Sequence, residues 1–432
     1  MADIIAFAKI MKALLKVNFH TLGCKLNQAE SEALAQQFTE AGYHVVDGGR
    51  ADVCIVNTCT VTHIADRKSR QLLRSLRRRN PGALVVALGC YAERAPVELA
   101  NIGGIDLIID NTQKMDLLQL LKGNPAFASS AFLGQSGLNS TGRVRSFVKV
   151  QEGCNDFCTY CIVPEVRGRE RCLSVGEVVS QVKARVALGY KEIILTGTKV
   201  GSYQYNGANL EQLIENILAK TTVERLHISS LQPHEITPGI LALWQDPRLC
   251  HHFHMALQSG SNDVLARMGR RYSNADYGMV VSSIREGVPA AAITTDIMVG
   301  FPGESNNEFE ESYCFCCEMG FANIHVFTYS PRPGTQAAKM PGQIGDRLKK
   351  ERSQRMLALA RESASKFHER FLGQTAQVLW EKEVTSGTGL YSGLSNNYIR
   401  TFTKSHLPLT NKFLPVQLVH SYGQGLYGES IG

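Results

Sequence analysis

A chain of 432 residues, 44% of them hydrophobic, is too long for one ordinary core and too apolar for a disordered one, so two or three globular domains are expected. A net charge of +7 permits a polyanionic partner without requiring one. No uncharged stretch is long enough to span a bilayer, so a membrane role is excluded and a cytoplasmic one expected; in that reducing compartment the 12 cysteines read as metal ligands or buried apolar groups before disulfides.

The first segment, MADIIAFAKIMKALLKV, breaks its apolar run with Asp3, Lys9 and Lys12 and lacks a convincing small-residue cleavage site. It reads as a short amphipathic extension, with Met11 as a second candidate start. From Val17 onward, VNFHT, ADVCIVN, ALVVALG and DLIID read as strands. AESEALAQQFTEAG, DRKSRQLLRSLRRR and ERAPVELAN read as the helices between them. Such a βαβ series predicts an open parallel sheet over residues 17–123.

Cys24 in TLGCKLNQAES, Cys59 in VNTCTVT and Cys90 in GCYAER each follow a strand and precede a helical segment. Their separations, 35 and 31 residues, match one βα unit apiece. Neighbouring parallel strands would bring the three carboxyl-end loops to one crevice, where helix amino termini favour an anionic, thiolate-held cluster. Three dispersed thiols would otherwise be ordinary buried cysteines. Between the second and third of them, residues 67–79 collect seven basic side chains and no acid. Leu72, Leu73 and Leu76 supply a buried stripe, leaving Arg67, Lys68, Arg70, Arg74, Arg77 and Arg78 for phosphate contacts, or simply for a solvated face.

A Gly-, Ser- and Asn-rich stretch over 124–143 reads as a linker. A second alternation follows, with strands in SFVKVQEGC, EIILTG, RLHISSL, HFHMAL, ITTDIMVGF and NIHVFTY. Six such strands predict a partial β/α barrel over 144–372, closed by a long helix over 346–371. Reactive groups in barrels sit at the carboxyl ends of strands, and Cys154 falls there after the first one. The final segment, 373–432, alternates apolar and polar residues among Gly and Asn turns, as a small β-barrel would.

Cys154, Cys158 and Cys161 are spaced CxxxCxxC. Structural zinc usually takes four protein ligands, commonly two CxxC pairs, and no second pair is nearby. Three thiolates instead hold three corners of a cubic iron-sulfur cluster and leave its fourth iron open to a small chelating cofactor. Cys54, Cys172, Cys250, Cys314, Cys316 and Cys317 read as structural, and His251, His252 and His254 as partly buried polar groups outside the site.

GCNDFCTYC resembles the cluster loop of the radical S-adenosylmethionine superfamily. Taken with TLGCKLNQAES, VNTCTVT, GCYAE, LTGTKVGSY, LQSGSNDVLARMGRRY, DIMVGFPGE and YSPRPGTQA, it extends the resemblance, in order and over nearly the whole chain, to the methylthiotransferase family. That resemblance implies an auxiliary 4Fe-4S cluster on Cys24, Cys59 and Cys90, and a radical 4Fe-4S cluster on Cys154, Cys158 and Cys161 that binds S-adenosylmethionine. It also implies a terminal TRAM domain that binds RNA; the alternative for that barrel is a folding or oligomerisation module. KLNQAE and NTCTVT are more like the branch acting on N6-threonylcarbamoyladenosine beside the anticodon than the isopentenyladenosine or ribosomal-protein branches.

The implied partners are the tRNA anticodon stem-loop and an electron donor, with the protein acting as a monomer. One S-adenosylmethionine would methylate a sulfur on the auxiliary cluster, and a second would furnish the radical that attacks adenosine C2. Thr196 and Gly197, at a strand end, are candidate contacts for the cofactor's methionine moiety. Gln258 and Ser259 are candidates for its ribose or carboxylate; Gly300 either leaves room for adenine or makes a tight turn. Cys172 and the CHHFHM run depart from the family pattern without touching a proposed ligand. A non-enzymatic alternative is an iron-sulfur RNA-binding redox sensor, marked by a fourth protein ligand at either cluster that closes the open iron.

Overall fold

Short apolar runs separated by amphipathic helices build the first sheet in the computed structural model, which describes residues 15–122 and 143–431. Residues 1–14 of the amino-terminal extension and all but the last residue of the expected linker lie outside the described residues. Strands β1 (Lys16–Thr21), β2 (His44–Val46), β3 (Val53–Thr58), β4 (Leu84–Gly89) and β5 (Leu107–Ile108) pair in parallel in the order β2-β1-β3-β4-β5.

All six residues of β3 are buried, because both faces of the sheet are covered. Val53 and Ile55 pack with Leu34 and Phe38 of helix α1 (Lys25–Glu40). Cys54 and Val56 turn the other way, onto Leu73 and Leu76 of helix α2 (His63–Arg79). The sequence pattern misses β2, whose three half-buried residues are too few to display a period. The helix expected from ERAPVELAN is two helices, α3 (Cys90–Arg94) and α4 (Pro96–Ala100). Pro96 separates them: it lacks an amide hydrogen and forces Ala95 out of helical geometry, to φ −143° and ψ 60°.

The chain forms two compact units, one of the described residues before 123 together with Ile162–Gly168, the other of 143–161 with 169–431. In the second unit β6 (Arg145–Lys149), β7 (Glu192–Thr196) and β8 (Arg225–Ile228) make one parallel sheet, ordered β6-β7-β8. Strands β9 (His252–His254), β10 (Ala292–Val299) and β11 (Asn323–Thr328) make another. Parallel bridges Leu226 to Leu249 and Leu231 to Met255 join them into the six-stranded partial barrel expected from the sequence.

Five antiparallel or mixed strands, β12 (Thr375–Glu383), β13 (Leu390–Ser395), β14 (Arg400–Lys404), β15 (Phe413–Tyr422) and β16 (Gly425–Ser430), close into the terminal barrel. It sits against residues that open the partial-barrel strands. Arg225, the first residue of β8, pairs with Glu192 at 2.5 Å and donates to the Leu394 carbonyl at 2.9 Å; Arg145 pairs with Glu381 at 2.5 Å. The Tyr398 ring stacks on His227 and His252, with centroids 4.3 and 4.7 Å apart, and its hydroxyl donates to Glu192. The amino-terminal end of the partial barrel is thereby covered, while the end that carries chemistry in such barrels lies opposite.

Candidate functional site

Cys24 caps the start of α1, Cys59 directly follows β3, and Cys90 follows β4 and opens α3. Because β1, β3 and β4 are adjacent, the three thiols occupy carboxyl-end loops of three neighbouring strands, as the repeated spacing predicts. Two glycines make the approach possible. A Cβ on Gly23, at φ 103°, would lie 2.9 Å from the Cys59 Cβ. One on Gly89, at φ 92°, would lie 2.3 Å from the Asn57 side-chain oxygen and 2.6 Å from the Thr58 carbonyl.

Asn27 ties the loops together: its amide donates to the Leu22 carbonyl at 2.8 Å and the Thr58 carbonyl at 3.1 Å. Asn57 donates back to the Asn27 carbonyl at 3.0 Å, and the Thr58 hydroxyl to the Leu88 carbonyl at 2.6 Å. Burial pushes the Cys59 thiol up to about 12, against the Val61 amide that favours its anion. It raises Cys90 as well, while Arg167 and Lys114 pull that thiol back down. A bound cation would supply the charge that ionises such buried thiols. The donor set, three thiols with cations behind one of them, fits an iron-sulfur cluster better than a hard oxygen-seeking ion.

In the second set, Cys154, Cys158 and Cys161 are half-buried. Cys154 accepts from the Asp156 amide at 3.4 Å, and Cys158 from the Arg270 guanidinium at 3.4 Å. Thr159 anchors the loop, its amide on the Met268 carbonyl at 3.0 Å and its hydroxyl on the Arg267 carbonyl at 2.9 Å. Lys199 reaches Asp156 at 2.7 Å and Glu235 at 3.7 Å. Burial raises the Cys154 thiol, opposed by the Asp156 amide and the Lys199 charge. Here too the residues suit a thiolate-held cluster. Among the described residues no three His, Cys, Asp or Glu side chains converge as ligands of one metal ion.

Of the candidate cofactor contacts, Thr196 and Ser259 are buried, and Gly197 and Gln258 half-buried. Thr196 ends β7, and Gly197 follows it where a Cβ would lie 2.8 Å from both oxygens of Gln151. Gln258 is half-buried in left-handed backbone, φ 70°, bridged to β10 through the Asp296 carbonyl and the Met298 amide. Ser259, by contrast, is buried, its hydroxyl bonded to that of Ser312 at 2.8 Å. Gly300 has φ 74°, and a Cβ there would lie 2.4 Å from the Lys349 side chain of the long helix (Asp346–Glu369). The sequence pattern does not single out Arg270, Lys199, Asp156 or Asn27. The available signal is their position inside the cysteine-bearing and strand-end motifs, three residues after Cys24 in the case of Asn27.

On α2, Leu73 and Leu76 are buried and Leu72 half-buried, and Arg67, Lys68, Arg74 and Arg78 are exposed. Arg70 and Arg77 depart from the expected phosphate-facing set. Arg70 donates to the Tyr91 hydroxyl at 2.7 Å and Glu98 at 2.8 Å; Arg77 donates to the Gly104 and Ala83 carbonyls and pairs with Asp106. Seven residues apart, the two share the flank of the buried stripe and are drawn into the fold. Of the cysteines read as structural, Cys54, Cys250 and Cys316 are buried and Cys172 half-buried, whereas Cys314 and Cys317 are exposed. His252 bonds His227 and Thr294, and His254 bonds Thr294 and Asp296, as internal polar groups would.

Residues 16–110 match the family described as Uncharacterized protein family UPF0004, and residues 148–316 match the Radical SAM superfamily. The chain is 36% identical to the threonylcarbamoyladenosine tRNA methylthiotransferase MtaB of Bacillus subtilis (strain 168), over 95% of this chain and 96% of that protein. It is 38% identical to the protein of the same name from Aquifex aeolicus (strain VF5), over 84% and 92%. Identity to the tRNA-2-methylthio-N(6)-dimethylallyladenosine synthase of Methylacidiphilum infernorum is 30%, over 95% and 94%. The radical S-adenosylmethionine methyltransferase TsrM from Kitasatospora setae, solved with cobalamin and a 4Fe-4S cluster, shares the fold with TM-score 0.54 at 15% identity, over 75% of this chain and 77% of that one. By these matches along its length, the chain belongs to the radical S-adenosylmethionine methylthiotransferase family.

Proposed function

We propose that this protein converts N6-threonylcarbamoyladenosine, at position 37 beside the tRNA anticodon, to its 2-methylthio derivative. The observation that carries the reading is the pair of three-thiol sets at strand ends, in a chain 36% identical over 95% of its length to a tRNA methylthiotransferase of that specificity. Cys154, Cys158 and Cys161 would hold one 4Fe-4S cluster, and Cys24, Cys59 and Cys90 a second. With S-adenosylmethionine bound, such clusters supply electron transfer, radical activation of an inert C–H bond, and a place for the sulfur.

The chain's own residues bind, orient and exclude water. Arg270 holds Cys158 and stands over the Tyr272 ring at 4.9 Å; Tyr160, edge-on to Phe301 at 6.4 Å, fills the space behind the loop. Thr196, Gly197 and Gln258, at or just beyond strand ends, would approach the cofactor, and Ser259 and Gly300 would shape the turns beside it. An external electron donor, a cytoplasmic setting and action as a monomer complete the reading. No helix among the described residues is long and apolar enough to cross a membrane.

The exposed side of α2 is the proposed anticodon stem-loop contact. Replacing Arg67, Lys68, Arg74 and Arg78 with Ala weakens tRNA binding and flattens its salt dependence, by about 0.7–0.9 in log–log slope for each phosphate that is no longer neutralised. Replacing Arg70 and Arg77 instead lowers the melting temperature, since both are bonded within the fold. Filter binding across a salt series and thermal unfolding separate the two sets.

The activity itself is tested by nucleoside mass spectrometry of tRNA from cells lacking their own methylthiotransferases. Expression of this gene should yield 2-methylthio-N6-threonylcarbamoyladenosine. Appearance of only the methylthio isopentenyl nucleoside would reassign the substrate, and appearance of neither would overturn the reading.

A further inference from the structure

Behind the first thiol set lies a buried ionic group with no role in the reaction proposed above. The short helix Val163–Arg167 packs in the first unit, where Ile162 and Val166 meet Cys90. Arg167 is 3% exposed and donates to Glu30 at 2.8 Å and to the Asn27 side-chain oxygen at 2.5 Å. Glu30, at 0% exposure, also takes Lys114, at 1%. Lys114 donates further to Asn111 at 3.1 Å, and Asn111 donates to the Val166 carbonyl at 2.5 Å.

Two cations thus face one anion away from water. Taking each of these ions out of water costs several kcal/mol, and an apolar trio of similar volume would often be as stable or more so, so packing alone gives the group little reason to exist. Its place beside the thiols supplies one. The Asn27 oxygen that Arg167 grips also accepts from the Cys24 thiol at 3.7 Å, and the Asn27 amide ties the Leu22 and Thr58 carbonyls. The Arg167 charge acts on Cys90 and Cys24 across this short span, and the Lys114 charge on Cys90.

We infer that Arg167, seconded by Lys114, is a positioning residue that lays net positive charge against the thiolates of Cys90 and Cys24 and sets the reduction potential of the cluster they hold. The inference rests on the proposed cluster at Cys24, Cys59 and Cys90. Reduction adds negative charge to an already anionic group, so a buried cation favours the reduced state and raises the potential.

The test uses full-length protein with Cys154, Cys158 and Cys161 replaced by Ala, reconstituted anaerobically with iron and sulfide, so that only the first thiol set can load. Iron and sulfide content, then a dye-mediated redox titration followed by electron paramagnetic resonance, give the loading and the potential. Arg167→Met should move the potential negative and Glu30→Gln positive, with Arg167→Lys near the parent. A tenfold change in the reduced-to-oxidised ratio at fixed potential corresponds to about 59 mV. Shifts in the same direction for Arg167→Met and Glu30→Gln would mark a packing defect and overturn the inference, as would unchanged potentials. Should Arg167→Met fail to load, the comparison is made between Arg167→Lys and Glu30→Gln, with equal potentials again overturning it. Failure of the parent with Arg167 intact to load any cluster would instead overturn the proposed second cluster, and the inference with it.

Discussion

Cys59→Ala protein should still cleave S-adenosylmethionine reductively while transferring no methylthio group. Cys59 belongs to the thiol set at the ends of β1, β3 and β4, and the loop of Cys154, Cys158 and Cys161 lies in the other compact unit. With one of the three thiolates removed, Cys24 and Cys90 would be too few to retain the proposed second cluster, and about half of the iron should be lost. The second set keeps its ligands and its anchors on Met268 and Arg267. Cys154→Ala should abolish cleavage and thiolation together. Cys54→Ala, on the strand that leads to Cys59 but facing the α2 side, should retain both clusters. Iron analysis, deoxyadenosine release and nucleoside mass spectrometry read the three outcomes. Full thiolation by Cys59→Ala would remove that residue from the site.

Gly89→Ala should unfold the first thiol set without touching a thiol. At φ 92° an alanine is strained, and its Cβ would lie 2.3 Å from the Asn57 side-chain oxygen, 2.6 Å from the Thr58 carbonyl and 2.9 Å from the Thr58 amide. Two of these obstacles are backbone of the adjacent strand β3, which has no room to yield because all six of its residues are buried. Left-handed strain and overpacking together cost about 2–6 kcal/mol, enough to open the loop of Cys90 or melt the unit. Thermal unfolding and iron content check this: a lowered melting temperature and about half the iron are expected. Gly82→Ala is the control, since nothing lies within 4 Å of a Cβ there and its φ is ordinary. A stable, fully loaded Gly89→Ala protein would contradict this packing.

The architecture was legible where period and spacing carry it. Six apolar runs announced the partial barrel, and the repeat of Cys24, Cys59 and Cys90 once per βα unit announced three neighbouring strands, because parallel pairing turns sequence period into spatial adjacency. What the pattern could not carry was pairing between distant side chains. Arg70 and Arg77 look like Arg74 in sequence, and it is partners folded back from later in the chain, Tyr91, Glu98, Asp106 and the Ala83 and Gly104 carbonyls, that bond them within the fold. The partners of Ser259 and Gly300 are equally distant: Ser312 and Lys349 lie 53 and 49 residues on. Arg167 was hidden for the same reason. Its partners, Glu30 and Asn27, lie 137 and 140 residues away, and no local pattern distinguishes it from the other arginines of VRGRER.

The most direct measurement offers the purified, reconstituted protein two tRNAs that differ only in the modified adenosine, one carrying the threonylcarbamoyl group and the other the isopentenyl group, with S-adenosylmethionine and a reductant. Liquid chromatography and mass spectrometry of the nucleosides should find the 2-methylthio product on the first tRNA and none on the second. Product on the second alone, or on neither with both clusters loaded, would contradict the proposed activity.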